Sequence, residues 1–278
     1  MSKKPIYFYG DSFTAGHGLL PPLVYKEHPE PEGSQHFTYK LKEYFKADKA
    51  YYRATAGNTN DHILFQLTED LPLITSGSTI VVGLSAPTRS SIYLHKTKNS
   101  SLEYSIMAKK GVNKVLSKKS KLIPVNIHLP DSDNSTFDKK TLLANNASSD
   151  FIEAMDIAGT YNALVKGQYF GEWTIYWRTV IIGILDSAKR LGINVVLWDW
   201  TSWSYYESLM DATDGKIQDY HWSWKGQSDF YYDLIAAYEK DKYIYDLYDT
   251  DVIINVEQRK AKVKEMEYRR AKFIKENS

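Results

Sequence analysis

The chain has 278 residues and a mass of 32.0 kDa, with 35 Lys+Arg against 34 Asp+Glu and a formal charge of +1. So even a balance excludes counterion release over the whole chain as a basis for nucleic-acid binding, and the lack of cysteine excludes disulfide scaffolds, thiolate metal sites and cysteine nucleophiles. With 43% hydrophobic residues and a mean hydropathy of −0.45, the composition is that of a folded globular protein, long enough to bury a core without staples. Residues 5–9 are a short apolar run closed by Gly10, which predicts a buried first strand. Phe37, Leu41, Tyr44 and Phe45 recur at helical spacing over 37–45, and 50–54 reads as a second strand. Asn60 is a candidate cap for a helix through Leu71 that buries Ile63, Leu64 and Leu67. Residues 79–84 are apolar on both faces, as a central parallel strand requires. The alternation then lapses. Residues 90–148 mix Ser, Asn, Lys and brief apolar bursts, with eight Lys and one acid, Glu103, between Ser90 and His128. A helical region over 150–191, with interruptions expected near Gly159 and Gly167, stops at Gly192, a residue suited to the left-handed position after a helix. Residues 193–198 form another central strand, 226–238 a helix, and 256–278 a charged amphipathic helix with eight Lys/Arg against four Glu.

This order predicts an α/β fold, a three-layer sandwich around a central parallel sheet, with a long insertion after the third strand. One domain spans 1–255, the insertion occupies about 90–148, and the helix 256–278 follows. No run is long enough to span a bilayer, and 5–9 is too short for a secretory h-region, so a cytoplasmic or virion-associated product is expected. The terminal helix is the candidate contact for a homo-oligomer or another assembly.

Ligands of open parallel sheets bind beyond the carboxyl ends of the strands. Gly10, Asp11, Ser12, Gly57, Ser85 and Asp199 all fall there. Ser12 follows the first strand in Gly10-Asp11-Ser12-Phe13-Thr14-Ala15-Gly16. It is either an Asx-type turn serine or a nucleophile exposed at a strand-to-helix turn beside a backbone donor. A hydroxyl becomes a useful nucleophile when a base takes its proton. Among seven histidines, His221 is the candidate, in Asp219-Tyr220-His221-Trp222-Ser223-Trp224-Lys225-Gly226, where Asp219 could hold the ring. A solvated loop pair is the other reading.

These blocks resemble those of the SGNH/GDSL hydrolases, in the same order along most of the chain. The resemblance implies a flavodoxin-like SGNH fold with Ser12 as nucleophile, His221 as base and Asp219 as its orienter. Ala56-Gly57-Asn58-Thr59-Asn60-Asp61 is similar to the block whose glycine supplies an oxyanion-hole N–H, which points to Gly57. Two departures stand out. The third block lacks its usual asparagine and reads Gly83-Leu84-Ser85-Ala86-Pro87-Thr88-Arg89, so Ser85 or Asn60 is the candidate third donor. One residue separates Asp219 from His221 where the family has two, which leaves Asp214 as a substitute.

Arg89 is a candidate anchor for a substrate carboxylate or phosphate, or else a salt-bridge partner; Asp11 stands beside it as a substrate-binding candidate. Trp200 and Trp222 belong to an aromatic-rich stretch that either walls a sugar or acyl site or packs the core. No cofactor and no metal is implied, since no His-x-x-x-His pair accompanies His221. The expectation is a serine esterase acting on a carboxylic ester, a small O-acyl group on a carbohydrate, with a small-molecule or glycan ester as its partner. The rivals are a non-catalytic or weakly active binding or structural protein and an O-acyltransferase.

Overall fold

In the computed structural model, the residues described are 4–16, 36–54, 58–87, 89–95, 122–127, 149, 153, 170–200, 205–214, 221–244, 261, 264 and 268, with only the backbone described over 90–95, over 122–127 and at 170. Four strands, β1 (Ile6–Tyr9), β2 (Ala50–Tyr52), β3 (Thr79–Leu84) and β6 (Asn194–Asp199), form one all-parallel sheet in the order β2-β1-β3-β6. Ile6 pairs with Ala50 on one side and Thr79 on the other, and Thr79 pairs with Asn194. Beyond β6, Ile244 makes a parallel bridge to Trp198.

Successive side chains of a strand point to opposite faces, so each strand feeds two cores. Ile6, Phe8, Val81, Val196 and Trp198 face one way and pack with Phe37 and Leu41 of α2 (Phe37–Tyr44) and Phe230, Leu234 and Ala237 of α6 (Trp224–Glu239). Tyr9, Ile80, Val82, Leu84, Val195 and Leu197 face the other way, against Ile63 and Leu67 of α3 (Asn60–Asp70) and Ile181, Leu185 and Ala188 of α4 (Phe170–Arg190). All six residues of β3 are buried. The three-layer α/β fold expected from the chain's alternation is the fold observed.

Several boundaries differ from the sequence reading. Thr59, not Asn60, caps α3: its Oγ1 accepts from His62 N at 3.3 Å. Asn60 is thereby the first helical residue, and its amide is released for another task. α6 begins at Trp224 because Ser223 caps it, accepting from Gly226 N at 3.1 Å. α4 ends as expected, with Gly192 at φ +75°. After β3, β4 (Ser90–His95) and β5 (Leu122–Ile127) form a two-stranded antiparallel sheet of their own within the expected insertion. Of the terminal helix 256–278, residues 261, 264 and 268 are helical and exposed, and the rest lies outside the described residues. No helix among the described residues is long and apolar enough to cross a membrane.

Candidate active site

The turn that carries Ser12 is built at the end of β1, where Gly10 has no room for a side chain. A Cβ there would stand 2.2 Å from Thr14 Oγ1 and 3.3 Å from the Gly83 carbonyl oxygen. Asp11 then caps the short helix α1 (Ser12–Ala15), its Oδ1 accepting from Phe13 N at 3.1 Å, and Gly16 ends that helix at φ +73°. Both are largely enclosed, Asp11 at 3% exposure and Ser12 at 6%. Gly83 gives the same close approach one strand over: Trp198, lying across it, would come within 2.4 Å of a Cβ.

The loops ending β1, beginning α3 and ending β3 are joined by side chains. The Asn60 amide brackets the backbone of Ser85: Oδ1 accepts from Ser85 N at 2.8 Å, and Nδ2 donates to Ser85 O at 2.9 Å. Ser85 Oγ donates to Asp11 Oδ2 at 3.0 Å, and Arg89 Nη1 donates to both, at 3.0 Å to Asp11 Oδ2 and 2.7 Å to Ser85 Oγ. From the α3 side, Asn58 Nδ2 donates to Gly10 O at 2.9 Å, while Asn58 Oδ1 accepts from Thr59 N and from His62 Nδ1. Burial pushes the His62 imidazole down to about 4, so the ring is neutral near pH 7.

His221 reaches this corner from the other end of the chain. The segment 207–209 runs beside it: His221 O accepts from Leu209 N at 2.8 Å, the first residue of α5 (Leu209–Ala212), and Ser223 N donates to Glu207 O at 2.9 Å. Ser223 Oγ also donates to Glu207 Oε1 at 2.6 Å. Gly226 permits this approach, because a Cβ there would meet Glu207 O at 2.2 Å. Next to His221, Trp222 is fully buried among Phe13, Trp198, Tyr206 and Phe230, with ring centroids 4.3–5.4 Å away. That anchor sets the imidazole against α1, and the His221 ring lies 4.7 Å from the ring of Phe13, the residue after Ser12.

Several assignments made from sequence change here. Trp222, a candidate for a substrate wall or for core packing, is a core residue with no face to offer a ligand. Arg89, expected as a substrate anchor, is held by an ion pair to Asp11, the other reading given for it. Asp11 is itself consumed as helix cap and as acceptor for Ser85 and Arg89, which replaces its expected contact with substrate. Ser85 has one hydroxyl proton and gives it to Asp11, so its side chain is no oxyanion donor. Asn60 Nδ2 carries a second proton besides the one it gives to Ser85 O. Trp200 directly follows β6 and is half-buried. Gly57 and Asp219 lie outside the described residues; Asp214 is exposed past the end of α5, at φ +54°. Among the described residues no group of three or more His, Asp or Glu could hold a metal ion.

Asn58 and His62 carry no role in the sequence reading above. Both are buried and hydrogen-bonded to each other. Helical spacing gave no signal for the pair, because Asn58 precedes the extended cap residue Thr59.

No family model matches the chain, and no curated protein matches it. Among solved structures, the chain is similar to that of phospholipase A1 from Streptomyces albidoflavus NA297, with a TM-score of 0.27 and 12% identity over 88% of this chain and 80% of that one. The α/β assignment therefore stands on the sheet itself, and the likeness to the SGNH/GDSL blocks stands as a resemblance of sequence.

Proposed function

We propose that the protein is a serine hydrolase of carboxylic esters. Ser12 attacks the ester carbonyl, and His221 takes the hydroxyl proton and returns it to the leaving alcohol. Asp219 orients the imidazole. The oxyanion is met by the N–H groups of Ser12 and Gly57 and by the second Nδ2–H of Asn60. Water then resolves the acyl-enzyme by the same proton path in reverse.

The observation that supports this reading most directly is the packing of the His221 ring on Phe13. A residue 208 positions from Phe13 in the chain packs against it, beside Ser12, which favours His221 among the histidines as the base for that hydroxyl. Asn60 adds to it. Its bracket on the Ser85 backbone puts an asparagine amide at the β3 edge although the third block has no asparagine of its own. The aromatic wall that suggested a carbohydrate ester has lost Trp222 to the core, so a substrate panel decides the alcohol portion.

Ser12→Ala is the test, run on short-chain aryl esters and acetylated glycans alongside labelling with a fluorophosphonate. The expected result is loss of turnover by at least about 10³-fold, together with loss of the label. Turnover retained by the pure variant would eliminate the mechanism. Glycan binding without any turnover in the wild type would favour the binding-protein rival, and acyl transfer to an added sugar hydroxyl would redirect the assignment to a transferase.

A further inference from the structure

We propose that Asn58, oriented by His62, is a positioning residue for the Ser12 turn, tying the peptide that follows β1 to the segment that leads into α3. The inference rests on the esterase reading above and adds the pair of residues that sets the nucleophile's place.

The orientation of the Asn58 amide follows from its partners. Thr59 N–H can only donate, at 3.0 Å, so the atom facing it is oxygen; Gly10 O can only accept, at 2.9 Å, so the atom facing it is the NH₂ group. That fixes His62 as well. Its Nδ1, 2.9 Å from Asn58 Oδ1, must carry the proton. Asn58 and His62 are 0% and 1% exposed, so water does not compete for either. The carbonyl held by Asn58 belongs to the peptide that leads into Asp11 and Ser12. Asp11 is held from the opposite side by Ser85 and Arg89. The turn is thus gripped between α3 and the end of β3, and Ser12 has little freedom to drift.

Stability accounts for part of this arrangement. Burying an amide and an imidazole costs desolvation that their hydrogen bonds roughly return, and an apolar residue at 58 would take the side-chain partner away from the buried Thr59 N–H and Gly10 carbonyl. What apolar residues cannot do is fix the direction of the Gly10 carbonyl. A displacement on the order of 1 Å at a reacting group costs about 10²-fold in rate, so direction is worth more to a nucleophile than to a fold.

The experiment compares wild type with Asn58→Asp. The substitution keeps the shape and the acceptor toward Thr59 and His62, but turns an oxygen toward Gly10 O in place of the NH₂ donor. Expected are a fall in kcat of at least about tenfold with KM within about twofold, and an equally slower labelling of Ser12 by fluorophosphonate. The variant-to-wild-type ratio should recover as pH falls, because the introduced carboxyl can donate once protonated. A purely structural role would lower the melting temperature and leave kcat and labelling per folded molecule unchanged; that result overturns the inference while the esterase reading survives. If wild type itself neither turns over nor labels, the esterase reading falls instead, and hydrogen exchange at the Phe13 and Ala15 amides decides the clamp. Faster exchange in Asn58→Asp supports it; equal exchange overturns it. Should Asn58→Asp not fold, His62→Gln takes its place, with a smaller loss of kcat expected and an unchanged kcat counting against the inference.

Discussion

Acid should weaken the fold through His62 alone by an amount its burial allows one to work out. The imidazole has an ordinary value of 6.5, and burial, the one cause acting on it, lowers it to about 4 in the folded protein. Above 6.5 the ring is neutral folded or unfolded, and its contribution to stability is fully present. Below 6.5 the unfolded chain takes up a proton that the folded chain refuses until about 4, so stability is lost across that window as pH falls. Two and a half units at about 1.4 kcal/mol each give a full loss of about 3.5 kcal/mol, about 3 kcal/mol of it reached by pH 4 and most of it incurred between pH 6 and 4. Nδ1 carries a proton in both forms, so the bond to Asn58 persists and the cost is that of charging a buried ring. The assay is urea unfolding at a series of pH values for wild type and for His62→Gln, which lacks the titrating group. Carboxylates and the other histidines titrate alike in both proteins and cancel in the difference. The offset between the curves is immaterial, because only their divergence with pH carries information. Curves that stay parallel within about 0.5 kcal/mol from pH 7 to 4, or a His62 ring that titrates near 6.5 in the folded protein by NMR, would refute the reasoning.

Gly83→Ala puts a methyl 2.4 Å from the Trp198 indole; the ring must shift within a packed core, and a loss of about 1–3 kcal/mol in denaturant unfolding is expected. Full stability would mean that Trp198 has slack. Arg89→Ala frees Asp11 Oδ2 and Ser85 Oγ from a shared donor and should cut kcat on an aryl ester by about tenfold, with added guanidinium restoring a measurable part. An unchanged kcat would reduce the Arg89–Asp11 pair to an ordinary salt bridge.

The sequence carried the fold because its strongest signals are local. A strand apolar on both faces, such as Thr79–Leu84, can be stable only with a layer on each side, and helices with one apolar stripe supply those layers. Asp11 and Ser12 were legible because a turn of given residues at a strand end constrains its own geometry. His221 stood out by its Asp219-Tyr220-His221 loop and by block order, but nothing in the residues near it in the chain says that its ring packs on Phe13.

Roles that depend on partners distant in the chain were decided elsewhere. Trp222 sits in a polar-looking loop sequence, yet it is core, because Phe13, Trp198 and Phe230 converge on it from three elements. Arg89 and Ser85 are four residues apart, but their meeting at Asp11 requires β1 beside β3. Asn60 reads in the sequence as a helix cap and an oxyanion candidate, and its bonds to Ser85, like those of Asn58 to Gly10, exist only once the ends of β1 and β3 are placed against them. The amino-acid order thus determined which layers form, because secondary structure and burial respond to periodicity within a dozen residues. Tertiary structure alone decided which polar atoms bond to one another, because a hydrogen bond depends on atoms within about 3 Å in space, whatever their separation along the chain.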